Sequence, residues 1–419
     1  MQIAIWPHRT DRRNDPDYTV SPWAGAKARI AAQQITKKRD VLGPAKKRMT
    51  ILNKKIVLLP GDGIGPEIMQ AAVRVLKEFA AEFGHEFSFA EFPFGGRAID
   101  ATGEPLPSDT LAACHFADAI LLGAIGGPKW DAVPLTHRPE TGLLALRKAL
   151  GLYINLRPID LHAPLRGLSP LRTDRASDVH IDFVRELAGD VYFGEHRLEA
   201  DPSGERARDS GAYTTGEIER VAKYAFARAE TRKGRVASVD KSNVLAMSQL
   251  WRRTVTRLAT DHPGVKLEHL YVDNAAMQLV LAPAQFDVIL TSNMFGDILS
   301  DLGAALAGSI GLIPSMSIGP GPSLYEPIHG SAPTLAGKDV ANPVGMILSA
   351  TMMLRESFGL KREAEWVESA VDRLFAKGIR TPDTFEPGTT KVGCVEFSER
   401  LCAEMAGASH RSQRANPGA

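Results

Sequence analysis

Short, wholly apolar runs alternate along this chain with longer runs whose apolar residues recur every three to four positions, and few folds accommodate that alternation. Ile56-Val57-Leu58-Leu59 reads as a buried strand, Gly61-Asp62-Gly63-Ile64-Gly65-Pro66 as a tight turn, and the amphipathic run to Phe83 as a helix. The pattern continues with strands over 87–92, 119–122 and 153–156 and with helices near Leu111 and over 143–150. A strand apolar on both faces must be covered on both, so the chain is expected to form an α/β fold, mostly parallel sheets with flanking helices. Between Asp182 and Thr214 the rhythm breaks. There Val191-Tyr192-Phe193 and the polar turn Asp201-Pro202-Ser203-Gly204 suggest a projecting β-hairpin, a natural element for pairing with a second subunit. The rhythm returns with helices over 217–232, 246–262 and 275–281, strands over 236–239, 267–272 and 288–290, and two late helices over 346–358 and 363–375. At 419 residues the chain exceeds the roughly 250–300 that one core usually serves, so two domains are expected.

Charge excludes some function classes. Lys plus Arg total 50 against Asp plus Glu 49, which leaves no electrostatic footprint for nucleic acid or an anionic membrane. The basic surplus is confined to residues 1–48, which end in Lys46-Lys47-Arg48 before a second methionine, Met49. That segment is expected to be a disordered extension or an artefact of an upstream start; a targeting peptide would also be basic, but its scattered acids, Asp11, Asp15, Asp17 and Asp40, argue against one, and a functional role is the remaining reading. Cys114, Cys394 and Cys402 form no metal-type or even-numbered framework, and no apolar run approaches a membrane span. A reduced, cytoplasmic setting is expected.

The chemistry gathers at strand ends. After strand 288–290 comes Asn293-Met294-Phe295-Gly296-Asp297-Ile298-Leu299-Ser300-Asp301. If Asp297 opens a helix, Asp301 lies one turn on along the same face, with Ile298 and Leu299 toward the core. Such a carboxylate pair suits Mg²⁺ or Mn²⁺, although an Asp at a helix start is also an ordinary cap. Arg147, Arg157 and Arg185 suit a substrate with several carboxylates if they converge, and Lys241 and Asp273 end strands, where α/β sheets place ligands. Tyr192 is a candidate proton donor. The glycine turn at 61–65 admits a close phosphate or ribose, or is simply a turn; its spacing is not the dinucleotide fingerprint.

From Lys54 to about Glu404 these residues resemble the isocitrate/isopropylmalate dehydrogenase family of metal-dependent β-decarboxylating dehydrogenases, and within it the isopropylmalate-oxidising branch. The resemblance is carried by L-P-G-D-G-I-G-P-E (59–67), L-L-G-A-I-G-G-P-K-W-D (121–131), R-P-E-T-G-L-L-A-L-R-K-A-L-G-L (138–152) and N-L-R-P (155–158). It continues through Y-F-G-E (192–195), S-V-D-K-S-N-V-L (238–245), Y-V-D-N-A-A-M-Q-L-V (271–280), F-G-D-I-L-S-D (295–301) and L-Y-E-P-I-H-G-S-A-P (324–333).

The resemblance implies a two-domain fold of that family. Residues 50–155 plus 306–405 would form the larger, cofactor-binding domain, and 156–305 a middle domain that dimerises and binds metal, with a hairpin arm near 190–214. It implies NAD-dependent oxidation of 3-isopropylmalate at C2, then loss of the C3 carboxylate as CO₂, a step of leucine synthesis. Tyr192 and Lys241 would be the catalytic acid and base, and Arg147, Arg157, Arg185 and Asp273 would bind substrate. Asp273, Asp297 and Asp301 would hold Mg²⁺ or Mn²⁺, and Leu143, Leu144 and Val244 would meet the isopropyl group, where the extra carboxylate of isocitrate would be stranded. Glu140, Gly127, His329, Gly330, Ser331, Ala332, Pro333, Thr334, Leu335 and Asn342 would contact NAD. The expected assembly is a homodimer in which Lys241 and Asp273 serve the other subunit's site. The sequence departs from the family pattern at Thr334, where NAD-dependent members carry an Asp that accepts from the ribose 2′-hydroxyl. Thr can hydrogen-bond the ribose but repels no 2′-phosphate. Other departures are His196 for the usual Pro after Y-F-G-E, and Leu302-Gly303. Two alternatives remain open: a tartrate- or D-malate-oxidising relative and a non-catalytic regulatory subunit.

Overall fold

A computed structural model describes residues 51–172 and 174–414, so the expectations for residues 1–48 lie outside the described residues. The first half of the chain runs β1 (Asn53–Gly61), α1 (Gly65–Phe83), β2 (Glu86–Glu91), α2 (Gly96–Thr102), α3 (Ser108–His115), β3 (Ala119–Ala124), α4 (Pro139–Ala149), β4 (Ile154–Asp160) and β5 (His180–Glu186). A hairpin of β6 (His196–Asp201) and β7 (Gly204–Asp209) follows, then α5 (Thr215–Glu230), β8 (Arg235–Asp240), α6 (Ala246–Ala259), β9 (Lys266–Tyr271), α7 (Val272–Leu281), β10 (Val288–Thr291) and α8 (Asn293–Leu306). The chain closes with β11 (Pro314–Ile318), β12 (Leu324–Pro327), α9 (Val344–Met352), α10 (Lys361–Ala376) and α11 (Cys394–Arg414).

Ten strands form one sheet in the order β2-β1-β3-β12-β11-β4-β5-β10-β8-β9. Strands from 53–124 and 314–327 build one half of it, and strands from 154–291 the other. Each half is parallel where its helices cross over. The antiparallel pairs lie at the seam, β12 with β11, β11 with β4 and β4 with β5. All six residues of β3 are buried, as a strand covered on both faces requires. Helix α1 shows how the covering is built: Ile68, Ala72, Val75, Leu76 and Phe79 fall at helical spacing on the buried face, and Gly84 ends the helix in the left-handed conformation. Helix α9 is mostly apolar and every residue of it is buried, Ser349 and Thr351 included. Among the described residues no helix is long and apolar enough to cross a membrane.

The expected breakdown of the α/β rhythm after Asp182 needs correction. His180–Glu186 is a central strand, hidden in the sequence because His, Asp, Arg and Glu interrupt its apolar residues. Apart from exposed His180, its polar side chains are buried because each has a partner. Asp182 meets Arg228 and Arg232 from α5 and the turn after it, and Glu186 accepts from the backbone N–H groups of Ala188 and Gly189. The hairpin is narrower than expected, and Val191–Phe193 is a single 3₁₀ turn outside it. Asp297 does not open its helix; α8 starts four residues earlier at Asn293, which puts Asp297 in the second turn. Ile298 points to solvent at 60% exposure, and only Leu299 faces the core. The two late helices appear as α9 and α10, joined by a π turn over Met353–Ser357, and α11 follows as a further helix at the end of the chain's described residues.

Two buried carboxylates on adjacent strands depend on few cations. Asp287 is fully covered and is met by Arg232 at 2.8 Å, and Arg232 also reaches Asp182 at 3.2 Å. Arg232→Ala is therefore expected to cost about 3 kcal/mol, because it strands buried charge. Arg172→Ala, which removes an exposed pair with Asp174, should cost less than about 0.5 kcal/mol. Urea unfolding of both variants checks the contrast, and equal costs would contradict it.

Candidate active site

The C-terminal ends of β5, β10 and β8 and the first residues of the antiparallel β4 form one end of the sheet's seam, with Asn155 registered against Arg185. Two guanidiniums converge there on one carboxylate. Arg157 donates to Asp297 Oδ1 at 3.1 Å, to Asp301 Oδ1 at 3.3 Å and to Ser300 Oγ at 2.8 Å. Arg185 donates from Nη1 to the same Asp297 oxygen, while its Nε and Nη2 bond to Asn293 Oδ1 at 2.9 and 2.7 Å. The Tyr192 hydroxyl donates to the other Asp297 oxygen at 3.0 Å. Arg147, on α4, is held by Glu326 at 2.8 Å, its Nε buried without a partner.

Burial and the neighbouring Arg157 push the Arg185 guanidinium down to about 9 against the pull of Asp297, which leaves it charged at neutral pH. Burial raises the Asp297 carboxyl, but Arg185 and Arg157 outweigh it and hold it below the usual carboxylate range. Burial, helped by the Asp297 charge, raises Asp301 despite Arg157. Burial and then Asp297 push the Tyr192 phenol above its ordinary range, so it keeps its proton at neutral pH.

Lys241 and Asp273 form a second, separate cluster. Lys241 Nζ donates to Asp273 Oδ1 at 2.7 Å on an exposed surface, and that bond lowers the Asp273 carboxyl. No hydrogen bond or ion pair among the described residues links either of them to Tyr192, Asp297, Asp301 or the three arginines. Val244, 67% exposed, rides on the turn that follows Lys241. Leu143 is half-buried against the small core formed by Leu146, Leu150 and Leu152, and Leu144 is half-buried beside it.

Loops after β1, β3 and β12 meet at a third place. Ile64 N–H donates to Ser331 O at 2.8 Å and Ser331 Oγ to Gly126 O at 2.7 Å. Gly63, at φ +55°, lies so close to Ser331 that a Cβ would sit 2.0 Å from its carbonyl oxygen. Pro333 and Glu140 line the same loops: a Cβ on Gly127 would lie 3.9 Å from Pro333, and one on Gly126 2.4 Å from the Glu140 carboxylate. Ala332, at φ +39°, starts a turn that leaves Thr334 and Leu335 exposed, while His329 bonds through Nδ1 to the Gly330 carbonyl and buries an unpartnered Nε2. Asn342 is tied instead to Asp383 and to its own helix start at Val344.

Several organising residues were missed in the sequence. Asp62, almost fully buried, accepts from the N–H groups of Gly96, Arg97 and Gly126 and so fixes the glycine turn to two other loops. Asn293 orients Arg185, Asn155 accepts from Arg157 Nε at 2.7 Å, and Glu326 holds Arg147. Each lies inside a motif already singled out, but nothing in its spacing distinguishes a residue that reacts from one that holds its neighbour.

Asp297 and Asp301 are hard oxygen donors one turn apart and partly solvent-facing, as a Mg²⁺ or Mn²⁺ ligand pair needs to be. Among the described residues no three His, Cys, Asp or Glu side chains are grouped so as to hold a metal ion.

Comparisons with known proteins bear on the family of the chain as a whole. The family model for isocitrate/isopropylmalate dehydrogenase matches residues 55–401. The 3-isopropylmalate dehydrogenase of Synechocystis sp. is 53% identical over 349 residues, 83% of this chain and 96% of the relative. That of Nitratidesulfovibrio vulgaris is 54% identical over 363 residues, 84% of this chain and 100% of the relative. Among solved structures, isocitrate dehydrogenase from Methylococcus capsulatus superimposes with a TM-score of 0.75 at 32% identity, covering 84% of this chain and 99% of that one. A β-decarboxylating dehydrogenase from Thermococcus kodakarensis gives 0.69 at 35% identity, over 84% and 96%.

Asp301→Asn should weaken Mn²⁺ binding, read by calorimetry on the purified protein, by about tenfold or more, no less than the loss of an outer-shell partner typically costs. An unchanged affinity would remove Asp301 from the ligand set.

Proposed function

This chain belongs to the isocitrate/isopropylmalate dehydrogenase family, and from that premise we infer that it oxidises (2R,3S)-3-isopropylmalate with NAD⁺ and decarboxylates it. The products are 4-methyl-2-oxopentanoate, CO₂ and NADH, in leucine synthesis. The convergence of buried Arg157 and Arg185 on Asp297 beside Tyr192 carries the reading. A malate dianion supplies the carboxylates that such guanidiniums bind bidentately.

When bound, Mg²⁺ or Mn²⁺ would supply Lewis acidity and NAD⁺ a hydride acceptor. Asp297, Asp301 and Asp273 would hold the metal. Arg147, Arg157 and Arg185 hold the malate carboxylates and fix the C2 hydroxyl and the C3 carboxylate in place. Lys241 takes the hydroxyl proton, and Tyr192, still protonated at neutral pH, returns a proton to C3 after CO₂ leaves. Leu143, Leu144 and Val244 leave an added carboxylate at the isopropyl position without a partner, which disfavours isocitrate.

Lys241, Asp273 and Val244 enter the site from a second copy of the chain in this reading. Exposed Met277, Val280 and Leu281 follow one face of α7, and Ile298 is exposed on α8, an apolar surface suited to a dimer contact. The exposed β6–β7 hairpin would serve as the arm. NAD would be bound by the loops around Gly127, Glu140 and 329–335, with Asn342 behind them. The larger domain would combine 50–155 with 306–405, and the middle one would span 156–305.

A spectrophotometric assay of NADH formation tests the substrate. Metal-dependent reduction of NAD⁺ with 3-isopropylmalate is expected, with isocitrate, D-malate and tartrate each slower by about a hundredfold or more. Activity on malate or tartrate alone would overturn the substrate assignment, and silence on every substrate would favour a regulatory chain. With Thr334 in place, NADP⁺ should support measurable turnover, and Thr334→Asp should raise the NAD⁺ over NADP⁺ preference about tenfold by repelling the 2′-phosphate. No change in the ratio would place that discrimination elsewhere.

A further inference from the structure

Asp190 occupies a costly position. Its φ is +70°, in the left-handed region that glycine favours, and it is 4% exposed with no cation paired to it among the described residues. Both carboxylate oxygens are nevertheless used. Oδ1 accepts from the N–H of Val191 at 2.8 Å, and Oδ2 accepts from the N–H of Met294 at 3.2 Å. Met294 lies in the first turn of α8, where N–H groups lack helical partners, and Ser292, at the N-cap of α8, makes no side-chain cap. A residue about a hundred positions away thus caps the helix that carries Asp297 and Asp301. Asn293 Nδ2 adds a parallel tie, donating to Gly189 O at 3.0 Å.

The contacts close a ring. Asp190 holds the start of α8; α8 carries Asp297; Asp297 accepts from the Tyr192 hydroxyl; and Tyr192 follows Val191, whose N–H returns to Asp190. Tyr192 sits on a single 3₁₀ turn at the edge of the hairpin, without a sheet of its own to fix it. Tyr213 packs against Gly189 so closely that a Cβ there would meet its ring at 2.4 Å, and its hydroxyl accepts from the Asn293 N–H at 3.0 Å, so the ring is backed by the core.

We propose that Asp190 is a positioning residue: by capping α8 from outside and clamping the Val191–Phe193 turn, it sets the placement of the Tyr192 hydroxyl relative to Asp297. The inference rests on the role given to Tyr192 in the proposed function. It also explains why a strained aspartate, rather than a glycine, stands at this turn. Glycine would relieve the backbone but surrender both bonds, and asparagine keeps only one acceptor oxygen.

A double-mutant cycle on the full-length protein tests it. Asp190→Gly is expected to lower kcat about tenfold with KM for 3-isopropylmalate within about twofold, because the arginines are untouched. In a Tyr192→Phe background the same change should cost less than about twofold. Asp190→Asn, the variant to use should Asp190→Gly fail to fold, should give an intermediate loss with the same dependence on Tyr192. Amide hydrogen exchange supplies a readout free of substrate: peptides covering 189–195 and 292–298 should exchange about tenfold faster in Asp190→Gly, with the α5 peptide unchanged. An equal loss of kcat in both backgrounds, or unchanged exchange at those two segments, would overturn the proposal. Wild-type protein inert toward 3-isopropylmalate would overturn only the functional reading, and the exchange data would still decide the role of Asp190.

Discussion

Asp297 is the shared anionic partner of two guanidiniums that have almost no access to water, and the rest of the site is arranged around that one carboxylate. Arg157 and Arg185 are each less than a tenth exposed, and charges so buried persist only with an opposing charge and satisfied hydrogen bonds. Strands from both sides of the β4–β5 pair contribute to the arrangement. β4 brings Asn155 and Arg157, β5 brings Arg185, and the turn after β10 starts the helix that carries Asp297 and Asp301. In the proposed function, a substrate with two carboxylates would take over the role that Asp297 fills toward the arginines and free the aspartates for a cation.

The same economy explains why one chain holds two partial clusters. Lys241 and Asp273 neutralise each other on an exposed surface, and the Asp297 cluster is neutralised internally, so each is stable apart from the other. The exposed apolar face of α7 and α8 lies on the helices that carry Asp273, Asp297 and Asp301, which is where an association between copies would bring the two halves together.

Much of this was legible in the sequence, and what was not has a common cause. Periodicity located the apolar strands and amphipathic helices because burial of apolar surface is a local property of residue type. It failed at His180–Glu186, where Asp182 and Arg185 are buried with partners as distant as Arg228 and Asn293. It failed at Ile298, which the helical repeat assigns to the core but which faces outward. The motifs located Tyr192, Arg157, Arg185, Asp297 and Asp301, and the fold brings those five together. They did not separate the groups that hold from the groups held: Asp62, Asn155, Asn293 and Glu326 acquire their roles from bonds across the sheet.

The central claim, that each active site is assembled from two copies of the chain, is tested most directly by subunit mixing. Lys241→Ala and Tyr192→Phe variants, each inactive or nearly so alone, are unfolded together, refolded and assayed with 3-isopropylmalate. Random pairing makes half the dimers mixed, each with one intact site, so the mixture should regain about a quarter of wild-type activity. A mixture no more active than its components would contradict the account and place both residues in the site of a single chain.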